Sequence, residues 1–384
     1  MMIYLDNNAT TCPLPAVAEA VLHTLQHGFG NPSSIHGGGE AARQRVEEAR
    51  AQVAGLINAR ETEVVFTSCA TESINTALRG AVEACRLERS RMVITSVEHE
   101  AVHDIAQWLQ GRGTDVAIVP VDALGRLDLG RLEEELKTPT TILSLMYANN
   151  ETGVVMPVPE AVRLARDAGA VVHVDAVQAV GKIPLDVDEI GCDFLSLSGH
   201  KFHAPKGVGV LYVRRDARFR PLVIGAGQEG GRRGGTENVP GVIGLGVAAQ
   251  TMAQGIAERC AHLARLSTRL EERLLAIPDT CLNGDPDGRT PGTVNVSFKG
   301  IEGSAVVLTA ARDGVCLSAG SACAAAQHGG SHVLEAMGVP FEYLHGAVRF
   351  SCCESTTLDE VDRALEVVEK AVAYLRAMDP TAAR

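Results

Sequence analysis

Three side chains with catalytic potential lie at the end of an apolar segment of the chain or shortly after one. Lys201 comes shortly after the segment Asp193–Leu197, Asp175 closes the segment Ala170–Asp175, and Thr71 follows a third apolar segment. A lysine amine can form a Schiff base with a carbonyl compound, and an aspartate in a buried strand requires a cationic partner. An isolated lysine is usually only an exposed surface residue. Because ligands bind beyond the carboxyl ends of strands in open α/β sheets, we expect these three side chains to share one site.

The combination fits the cofactor pyridoxal 5'-phosphate (PLP). Asp175 would pair with a protonated pyridine nitrogen and keep the ring an electron sink. Thr71 precedes a predicted helix, Ser73–Gly80, whose N-terminal amide groups suit a phosphate, although Thr71 could also be an ordinary N-cap. Ser198 and His200, just before the lysine, can donate further hydrogen bonds to a phosphate.

The elements that would position these residues alternate between short apolar runs and helical patterns. The runs are rich in Val and Ile and lack polar alternation, as expected when helices cover both faces of a mostly parallel sheet. We predict a doubly wound α/β domain with a seven-stranded sheet, its strands at Glu63–Thr67, Met92–Val97, Val116–Val121, Thr141–Tyr147, Ala170–Asp175, Asp193–Leu197 and Val208–Val213.

The pattern changes after about residue 250. A long helical pattern, Ala249–Ile277, leads to an apolar strand, Thr293–Phe298, and the chain closes with an amphipathic helix, Leu358–Leu375. These elements predict a second, smaller α+β domain. We expect residues 13–255 to form the large cofactor-binding domain, and residues 1–12 and 256–384 to form the small one.

Composition excludes several classes of partner. The net charge of −12 and the lack of a basic run argue against nucleic acid. No apolar stretch reaches the roughly 18–20 residues that cross a membrane, and the first residues lack a signal-peptide pattern, so we expect a cytoplasmic protein with no membrane partner. The ten cysteines are then expected to be free thiols. Without any Cys-x-x-Cys spacing, no metal site is expected.

Two short motifs suggest other chemistry. Gly225–Gly230 matches the dinucleotide fingerprint, but the glycine-rich residues that follow do not favour the helix that this fingerprint requires. His99-Glu100-Ala101-Val102-His103 matches the pattern of zinc metallopeptidases, in which two histidines on one helix face bind the metal and the glutamate is the base. A zinc metallopeptidase is therefore the alternative function from a different class.

Several longer motifs, spread almost from end to end of the chain, resemble one known family. They are Tyr4-Leu5-Asp6-Asn7-Asn8-Ala9-Thr10-Thr11, Gly30-Asn31-Pro32-Ser33-Ser34, Glu98-His99-Glu100-Ala101-Val102, Asn149-Asn150-Glu151-Thr152-Gly153, Ser198-Gly199-His200-Lys201, Arg233-Gly234-Gly235-Thr236-Glu237-Asn238 and Ser318-Ala319-Gly320-Ser321-Ala322-Cys323. In these motifs the chain resembles the NifS/IscS-like cysteine desulfurases of the class V aminotransferase superfamily. The resemblance implies fold type I of the PLP enzymes, which is aspartate-aminotransferase-like.

The resemblance also implies roles around the cofactor. Lys201 would hold PLP and shuttle protons, His99 would lie on the ring face and act in acid–base steps, and Asp175 would pair with the ring nitrogen. Asn150 and Gln178 would surround the phenolic oxygen. The phosphate would be held by residues from several segments, with one of them reaching in from the second subunit of a homodimer; these are Ala70, Thr71, Ser198, His200 and, from the partner, Thr236.

The reaction implied by the resemblance is the desulfuration of L-cysteine. Arg349 would grip the substrate carboxylate, with Asn8 and Asn150 also contacting substrate, and Cys323 would take the sulfur as a persulfide while alanine is released. The small neighbours of Cys323 suit a loop thiol better than a core thiol. The persulfide would pass to an iron–sulfur scaffold protein, and Cys69 favours the nitrogen-fixation type over the housekeeping type.

The chain departs from the family pattern in one segment, and other activities of the same chemistry stay open. Cys352-Cys353-Glu354 replaces residues that commonly include a second arginine near position 354. A selenocysteine lyase or another class V PLP enzyme remains the alternative within this chemistry. A sulfur-relay or scaffold-binding protein without catalysis of its own is a further alternative.

Overall fold

The computed structural model describes residues 2–85, 90–320 and 330–378. Its strands are β1 (Ile3–Tyr4), β2 (Val64–Thr67), β3 (Arg91–Thr95), β4 (Asp115–Val119), β5 (Ile142–Met146), β6 (Val171–Asp175), β7 (Phe194–Ser198), β8 (Gly209–Val213), β9 (Thr280–Leu282), β10 (Thr293–Phe298), β11 (Val315–Cys316) and β12 (Ala347–Ser351). The seven strands predicted between residues 60 and 215 correspond to β2 through β8.

The central sheet has seven strands in the order β2-β8-β7-β6-β5-β3-β4. Strands β3 to β7 pair in parallel, whereas β8 runs antiparallel to both of its neighbours. The carboxyl ends of β5, β6 and β7 therefore lie along one edge of the sheet. The predicted fold class, an α/β fold with a mostly parallel seven-stranded sheet, is confirmed.

The two faces of this sheet pack into separate apolar clusters, which explains why its strands show no polar alternation. Along β2, Val64 and Phe66 enter one cluster with residues of the helices on that face, while Val65 enters another. Along β5, Leu143 and Ile142 divide in the same way. Because successive side chains in a strand point to opposite faces, both faces must be apolar when both are covered.

Helices cover both faces of the sheet and form most of the remaining structure. They are α1 (Pro15–His27), α2 (Gly37–Leu56), α3 (Ala70–Ala84), α4 (Glu100–Gln110), α5 (Leu129–Leu136), α6 (Val158–Asp167), α7 (Val187–Ile190), α8 (Val239–Ala253), α9 (Ile256–Leu275), α10 (Gly303–Arg312), α11 (His332–Ala336), α12 (Phe341–Leu344) and α13 (Leu358–Met378). Helix α3 packs on the same face as α4, and α1, α2 and α8 pack together on the other.

The prediction of one long helix over Ala249–Ile277 is wrong. Helix α8 ends at Ala253 and α9 begins at Ile256, with an 81° bend between them. Gly255 lies at the bend with φ +61°, a left-handed conformation that glycine adopts without steric cost. Because the apolar periodicity continues across the break between α8 and α9, the sequence pattern did not reveal this break.

A separate apolar cluster lies away from the central sheet. It is built on the antiparallel sheet β12-β10-β9 and on α9, α10 and α13. Ile3 and Leu5 from the start of the chain pack into it, and β1 pairs with β11. The first residues of the chain are therefore part of the same core as its last helix.

None of the described helices is by itself long and apolar enough to cross a membrane, and α8 with α9 meets that criterion only as a strongly bent pair. The segment Gly225–Gly230 overlaps a 3-10 turn, Gln228–Gly231, and the next α-helix begins only at Val239. The dinucleotide fingerprint therefore lacks the helix N-terminus that it needs for a pyrophosphate.

Candidate active site

Lys201 lies in a tight 3-10 turn, Gly199–Lys201, directly after β7. Its Nζ donates hydrogen bonds to the backbone oxygens of Asn8 and Ala9, at 2.6 and 3.0 Å. A Cβ on Gly199 would come within 2.9 Å of the Leu245 Cδ1 and 3.0 Å of the Ala204 Cβ. The turn that presents the lysine therefore depends on a glycine at position 199.

A cavity of about 210 Å³ opens at the carboxyl ends of β5, β6 and β7. Most of the residues predicted to bind the cofactor line it together with the lysine; they are Ala70, Thr71, His99, Asn150, Asp175, Gln178, Ser198 and His200. Cys69, Ile74, Met146, Ala148 and Val177 complete the lining. The sequence prediction that strand ends converge on one site agrees with this geometry.

Asp175 ends β6 as a buried carboxylate beside the lysine. Its Oδ1 accepts a hydrogen bond from the Val177 amide at 3.0 Å. Burial raises the pKa of Asp175, while the Val177 amide and the charges of His99 and Lys201 act in the opposite direction. A cation against this carboxylate would hold it ionised, and a protonated pyridine nitrogen is a cation of the required kind.

The opposite part of the cavity is formed by the first turn of α3. Cys69 is the N-cap of this helix and makes no side-chain capping hydrogen bond, and Thr71 is exposed in the first turn. Glu72 accepts a hydrogen bond from the Ser68 amide at 2.8 Å and is paired with Arg233 at 2.9 Å. The helix N-terminus with a hydroxyl in its first turn fits a phosphate group.

His200 contributes a neutral imidazole to this part of the cavity. Burial lowers the pKa of His200 to about 4, and the nearby charges of Lys201 and Lys206 act in the same direction. One ring nitrogen, Nδ1, lies 3.1 Å from the Thr10 Oγ1. Near neutral pH the ring is therefore a hydrogen-bond donor without a full charge.

His99 is the N-cap of α4, and its Nδ1 accepts a hydrogen bond from the Ala101 amide at 3.0 Å. An accepting Nδ1 places the ring proton of a neutral imidazole on Nε2. His103, the other histidine of the metallopeptidase motif, packs edge-to-face against His332 with ring centroids 5.2 Å apart. In residues 2–85, 90–320 and 330–378, the group of three candidate metal ligands is His203, Cys353 and Glu354, so this motif does not assemble a metal site.

Asn8 connects the first residues of the chain to the cavity but does not line it. Its backbone oxygen accepts hydrogen bonds from Gln178 Nε2 and from the Lys201 Nζ, at 3.0 and 2.6 Å. Its side-chain Oδ1 accepts a hydrogen bond from Lys182 Nζ at 2.6 Å, and its Nδ2 donates one to Thr293 Oγ1 at 3.1 Å. Asn8 thus holds the side chains of Lys201 and Gln178 in place through hydrogen bonds to its backbone oxygen.

Lys182 was missed by the sequence analysis. It is buried, and it also donates to Gln178 Oε1 at 3.1 Å. Burial lowers the pKa of Lys182 to about 7, with the charges of Lys201 and Arg349 adding to the effect. Nothing in Gly181-Lys182-Ile183 distinguishes it from a surface lysine, because its contacts come from residues far away in the chain.

Arg349 is held rigidly in β12, beside the cavity. Its Nη1 donates to the Asn150 backbone oxygen and its Nη2 to the Asp6 Oδ1, both at 2.8 Å. Its Nε is buried and has no hydrogen-bond partner among the described residues. The guanidinium therefore retains donor capacity, and Asp6 is a second residue to which the sequence analysis assigned no role.

Glu98, next to His99, is a third residue to which the sequence analysis assigned no role. Its Oε1 accepts hydrogen bonds from Thr95 Oγ1 at 2.5 Å and from the Met146 amide at 3.0 Å. Its Oε2 is buried without a partner among the described residues. Burial raises the pKa of Glu98 to about 8, with a further contribution from the charge of Asp175. Glu98 is therefore a neutral carboxylic acid near pH 7.

Two further predicted site residues are Thr236 and Cys323. Thr236 is exposed in the segment before α8, and the cavity lining of its own chain does not include it. Cys323 lies outside the described residues, which end at Gly320 and resume at Gly330. The last described residues before this gap pair with β12 through an isolated bridge between Ser318 and Arg349.

The fold and the arrangement of the site agree with comparisons to known proteins. Residues 3–364 match the family described as Aminotransferase class-V. A solved structure titled NifS-like protein superimposes with a TM-score of 0.92 at 36% sequence identity, covering 98% of this chain and 100% of that chain. The chain belongs to the aminotransferase class-V family.

The curated relatives narrow this assignment to one group. A cysteine desulfurase of Trichormus azollae is 50% identical over 380 residues, covering 99% of this chain and 95% of the relative. The cysteine desulfurase NifS of Azotobacter vinelandii is 45% identical over 380 residues, covering 98% of this chain and 94% of the relative. Within its family the chain groups with the cysteine desulfurases, which confirms the expected family.

Proposed function

We propose that this protein is a PLP-dependent L-cysteine desulfurase that converts L-cysteine to L-alanine and transfers the sulfur to Cys323. The observation that carries the proposal is the convergence of Lys201, the buried Asp175 carboxylate and the N-terminus of α3 on one cavity. This donor set matches the carbonyl, the pyridine nitrogen and the phosphate of PLP. Asn150 and Gln178, which also line the cavity, supply amide groups for the phenolic oxygen.

PLP bound in this cavity would supply an electron-withdrawing ring that stabilises negative charge on the substrate carbon. The chain's own residues would orient the reactants and move protons. Lys201 Nζ would hold the cofactor and carry protons to and from the substrate, and His99, with its Nε2 proton, would act as the second acid–base group. Asp175 would keep its charge paired with the ring nitrogen.

Arg349 is the proposed partner of the substrate carboxylate. It is held in place by Asn150 and Asp6 while keeping a buried N–H group without a partner among the described residues. A planar guanidinium suits bidentate recognition of a carboxylate. We propose that Asn150 also contacts substrate and that Asn8 acts through its support of Lys201 and Gln178.

The sulfur transfer balances without an external oxidant or reductant. The Cys323 thiolate attacks the substrate sulfur, a new S–S bond forms, and the C–S bond of cysteine breaks. The bonding electron pair stays on carbon, which takes up a proton to give alanine, while Cys323 becomes a persulfide. Ser318 is paired with Arg349 and lies five positions before Cys323 in the chain. Five residues span at most about 17 Å when fully extended, which sets the largest distance between these two residues.

Alanine and sulfide production tests the proposed function. Purified holoenzyme given L-cysteine and a reductant is expected to release alanine and sulfide in equal amounts. Cys323→Ser is expected to abolish sulfide release, whereas the exposed Cys12 should tolerate the change Cys12→Ser without loss of activity. Absence of both products from the wild-type protein contradicts the proposal. Faster turnover of selenocysteine that persists in Cys323→Ser would identify a selenocysteine lyase instead.

The assembly and cellular role are further parts of the proposal. A homodimer is proposed in which Thr236 of each subunit completes the phosphate site of the other; Thr236 is exposed and does not line the cavity of its own chain. We propose a division into a large domain, residues 13–255, and a small domain, residues 1–12 and 256–384. The separate core that contains Ile3, Leu5 and α13 supports this division.

We propose that the persulfide serves iron–sulfur cluster assembly through a scaffold protein, of the nitrogen-fixation type. The relative from Azotobacter vinelandii and the presence of Cys69 support that type. The nine cysteines that the structure describes are all free thiols, which supports a reducing, cytoplasmic location. Loss of nitrogenase activity on deletion of the gene, with other iron–sulfur enzymes intact, is the expected result; the reverse pattern indicates a housekeeping role.

A further inference from the structure

A group of three potential metal ligands lies next to the active site, on the far side of the Lys201 turn. His203 follows that turn, and Cys353 and Glu354 follow β12. Their ligand atoms all lie within 4.8 Å of one another. His203 and Glu354 are 151 positions apart in the chain, so no local spacing could have revealed the group.

The hydrogen bonds of His203 determine which ring nitrogen is available. Its Nδ1 lies 2.7 Å from the backbone oxygen of Cys12, and because a carbonyl oxygen only accepts, Nδ1 must carry the proton and donate it. In a neutral imidazole the Nε2 lone pair then points toward Glu354, whose carboxylate lies 3.0 Å away. Two acceptors at this distance repel each other unless a proton or a metal ion lies between them.

A donating Nδ1 bonded to a backbone carbonyl is also the usual arrangement of a histidine that binds a metal through Nε2. The His203 amide donates to Thr11 Oγ1 at 2.7 Å, and its side chain is only 8% exposed, so the ring is fixed in this orientation. Cys353 and Glu354 are presented by a turn closed by the hydrogen bond from the Thr356 amide to the Cys353 oxygen.

The space and the charges also suit one ion. A cavity of about 20 Å³, the volume of roughly one water-sized sphere, is lined by His203, Cys353 and Glu354. Lys182 and Lys201 also line it, and their Nζ groups are hydrogen-bonded to residues outside this group of three. The nearby Arg259 does not neutralise Glu354 by direct pairing, because its N–H groups donate to the backbone oxygens of Gly181, Met252 and Gln254. Bound to a metal ion, the Glu354 carboxylate, the deprotonated Cys353 sulfur and the His203 imidazole would together balance a divalent charge.

We propose that His203, Cys353 and Glu354 bind one Zn²⁺ ion, with solvent as a fourth ligand. Nitrogen, sulfur and oxygen ligands at about 2.0–2.3 Å are typical of zinc, and the mixed set favours zinc over the hard cations. Two of the three ligands fall in Cys352-Cys353-Glu354, where the chain departs from the family pattern. The ion would connect the turn that presents Lys201 to the end of the strand that carries Arg349, and this goes beyond the proposed desulfurase activity.

Metal binding by the full-length holoenzyme tests this site independently of activity. Holoenzyme freed of metals and then incubated with Zn²⁺ is expected to retain one equivalent per chain after gel filtration. Cys353→Ser and Glu354→Gln should each reduce the retained zinc at least tenfold, and so should His203→Asn, since asparagine tolerates the φ of +67° found at this position. Cys12→Ser and Cys323→Ser are the matched controls and should retain the full equivalent.

A second measurement keeps the proposal testable if a variant does not fold. Co²⁺ added to the wild-type holoenzyme is expected to give a thiolate-to-cobalt charge-transfer band, and Zn²⁺ is expected to raise the melting temperature by a few degrees. The proposal is overturned by wild-type protein that retains no zinc, by cobalt bound without the thiolate band, or by zinc retention unchanged in both Cys353→Ser and Glu354→Gln.

Discussion

Arg349 and Ser318 are joined through both backbone groups, with the Arg349 amide 2.7 Å from the Ser318 oxygen and the Ser318 amide 3.3 Å from the Arg349 oxygen. The arginine proposed to bind the substrate is therefore fixed to the segment that leads to Cys323. In the proposed reaction one residue of this pair positions the carboxylate and the other begins the path to the sulfur acceptor.

Replacing Arg349 by lysine should weaken substrate binding more than catalysis. A lysine retains the charge that pairs with Asp6 but cannot donate two parallel hydrogen bonds to a carboxylate. We expect KM for L-cysteine to rise by about tenfold or more, with a smaller fall in kcat and no change in cofactor content. Steady-state kinetics measure the effect. Arg269→Lys, in a half-exposed ion pair with Asp362, is the control, and an unchanged KM in Arg349→Lys would show that the carboxylate binds elsewhere.

Replacing Asp175 by asparagine should impair cofactor binding. The amide keeps the size of the side chain and removes the charge proposed to pair with the ring nitrogen, so we expect PLP affinity and kcat both to fall by about tenfold or more. Titration of the apoprotein with PLP measures the affinity. Asp193, which is buried just before β7 at the other end of the sheet and pairs with Arg214, provides the control Asp193→Asn. Equal PLP affinity in wild type and Asp175→Asn would refute the assigned role.

Stability of the apoprotein should decline as pH rises from about 4.5 to about 8 because of Glu98. The pKa of Glu98 is raised from 4.5 to about 8 by burial, so between these values the folded state binds a proton that the unfolded state has lost. The contribution is fully present below the lower pKa and disappears as pH rises through the higher one. Glu98→Gln mimics the neutral acid and should remove this decline, an effect on the order of a few kcal/mol.

Melting temperatures of the wild type and Glu98→Gln at about pH 6 and about pH 9 measure this difference. The melting temperature of Glu98→Gln relative to that of the wild type should be higher at the higher pH than at the lower pH. The control Glu134→Gln, which changes an exposed ion pair with Lys137, should show the same difference in melting temperature between the two pH values as the wild type. A parallel decline in Glu98→Gln and the wild type would mean that Glu98 is ionised throughout.

Gly209 should be required for the shape of the part of the cavity that is proposed to bind the phosphate. A Cβ at this first residue of β8 would lie 2.7 Å from the backbone carbon of Cys69, the N-cap of α3. Gly209→Ala should therefore displace the start of α3, lowering the melting temperature and weakening PLP binding, at a cost of about 1–3 kcal/mol. Gly55→Ala, where a Cβ meets nothing within 4 Å in helix α2, should leave PLP affinity unchanged. Equal PLP affinity in both variants would contradict the close contact.

The sequence predicted the sheet and the residues at its edge because those signals are local. Each strand is a short apolar run, Asp175 ends one of these runs, and Lys201 comes shortly after another. The supporting residues carry no such signal: Lys182 and Glu98 become buried only through contacts with distant segments. The break at Gly255 was missed for a related reason, since apolar periodicity continues through a bend made by the backbone of a single residue.

The visible absorbance of the pure protein, recorded before and after addition of L-cysteine, tests the central claim most directly. We predict a coloured wild-type protein whose spectrum changes on addition of L-cysteine, and a colourless, inactive Lys201→Ala variant. Wild-type protein without visible absorbance, or a Lys201→Ala variant that keeps the wild-type spectrum and desulfurase activity, would contradict the assignment of Lys201 as the cofactor lysine.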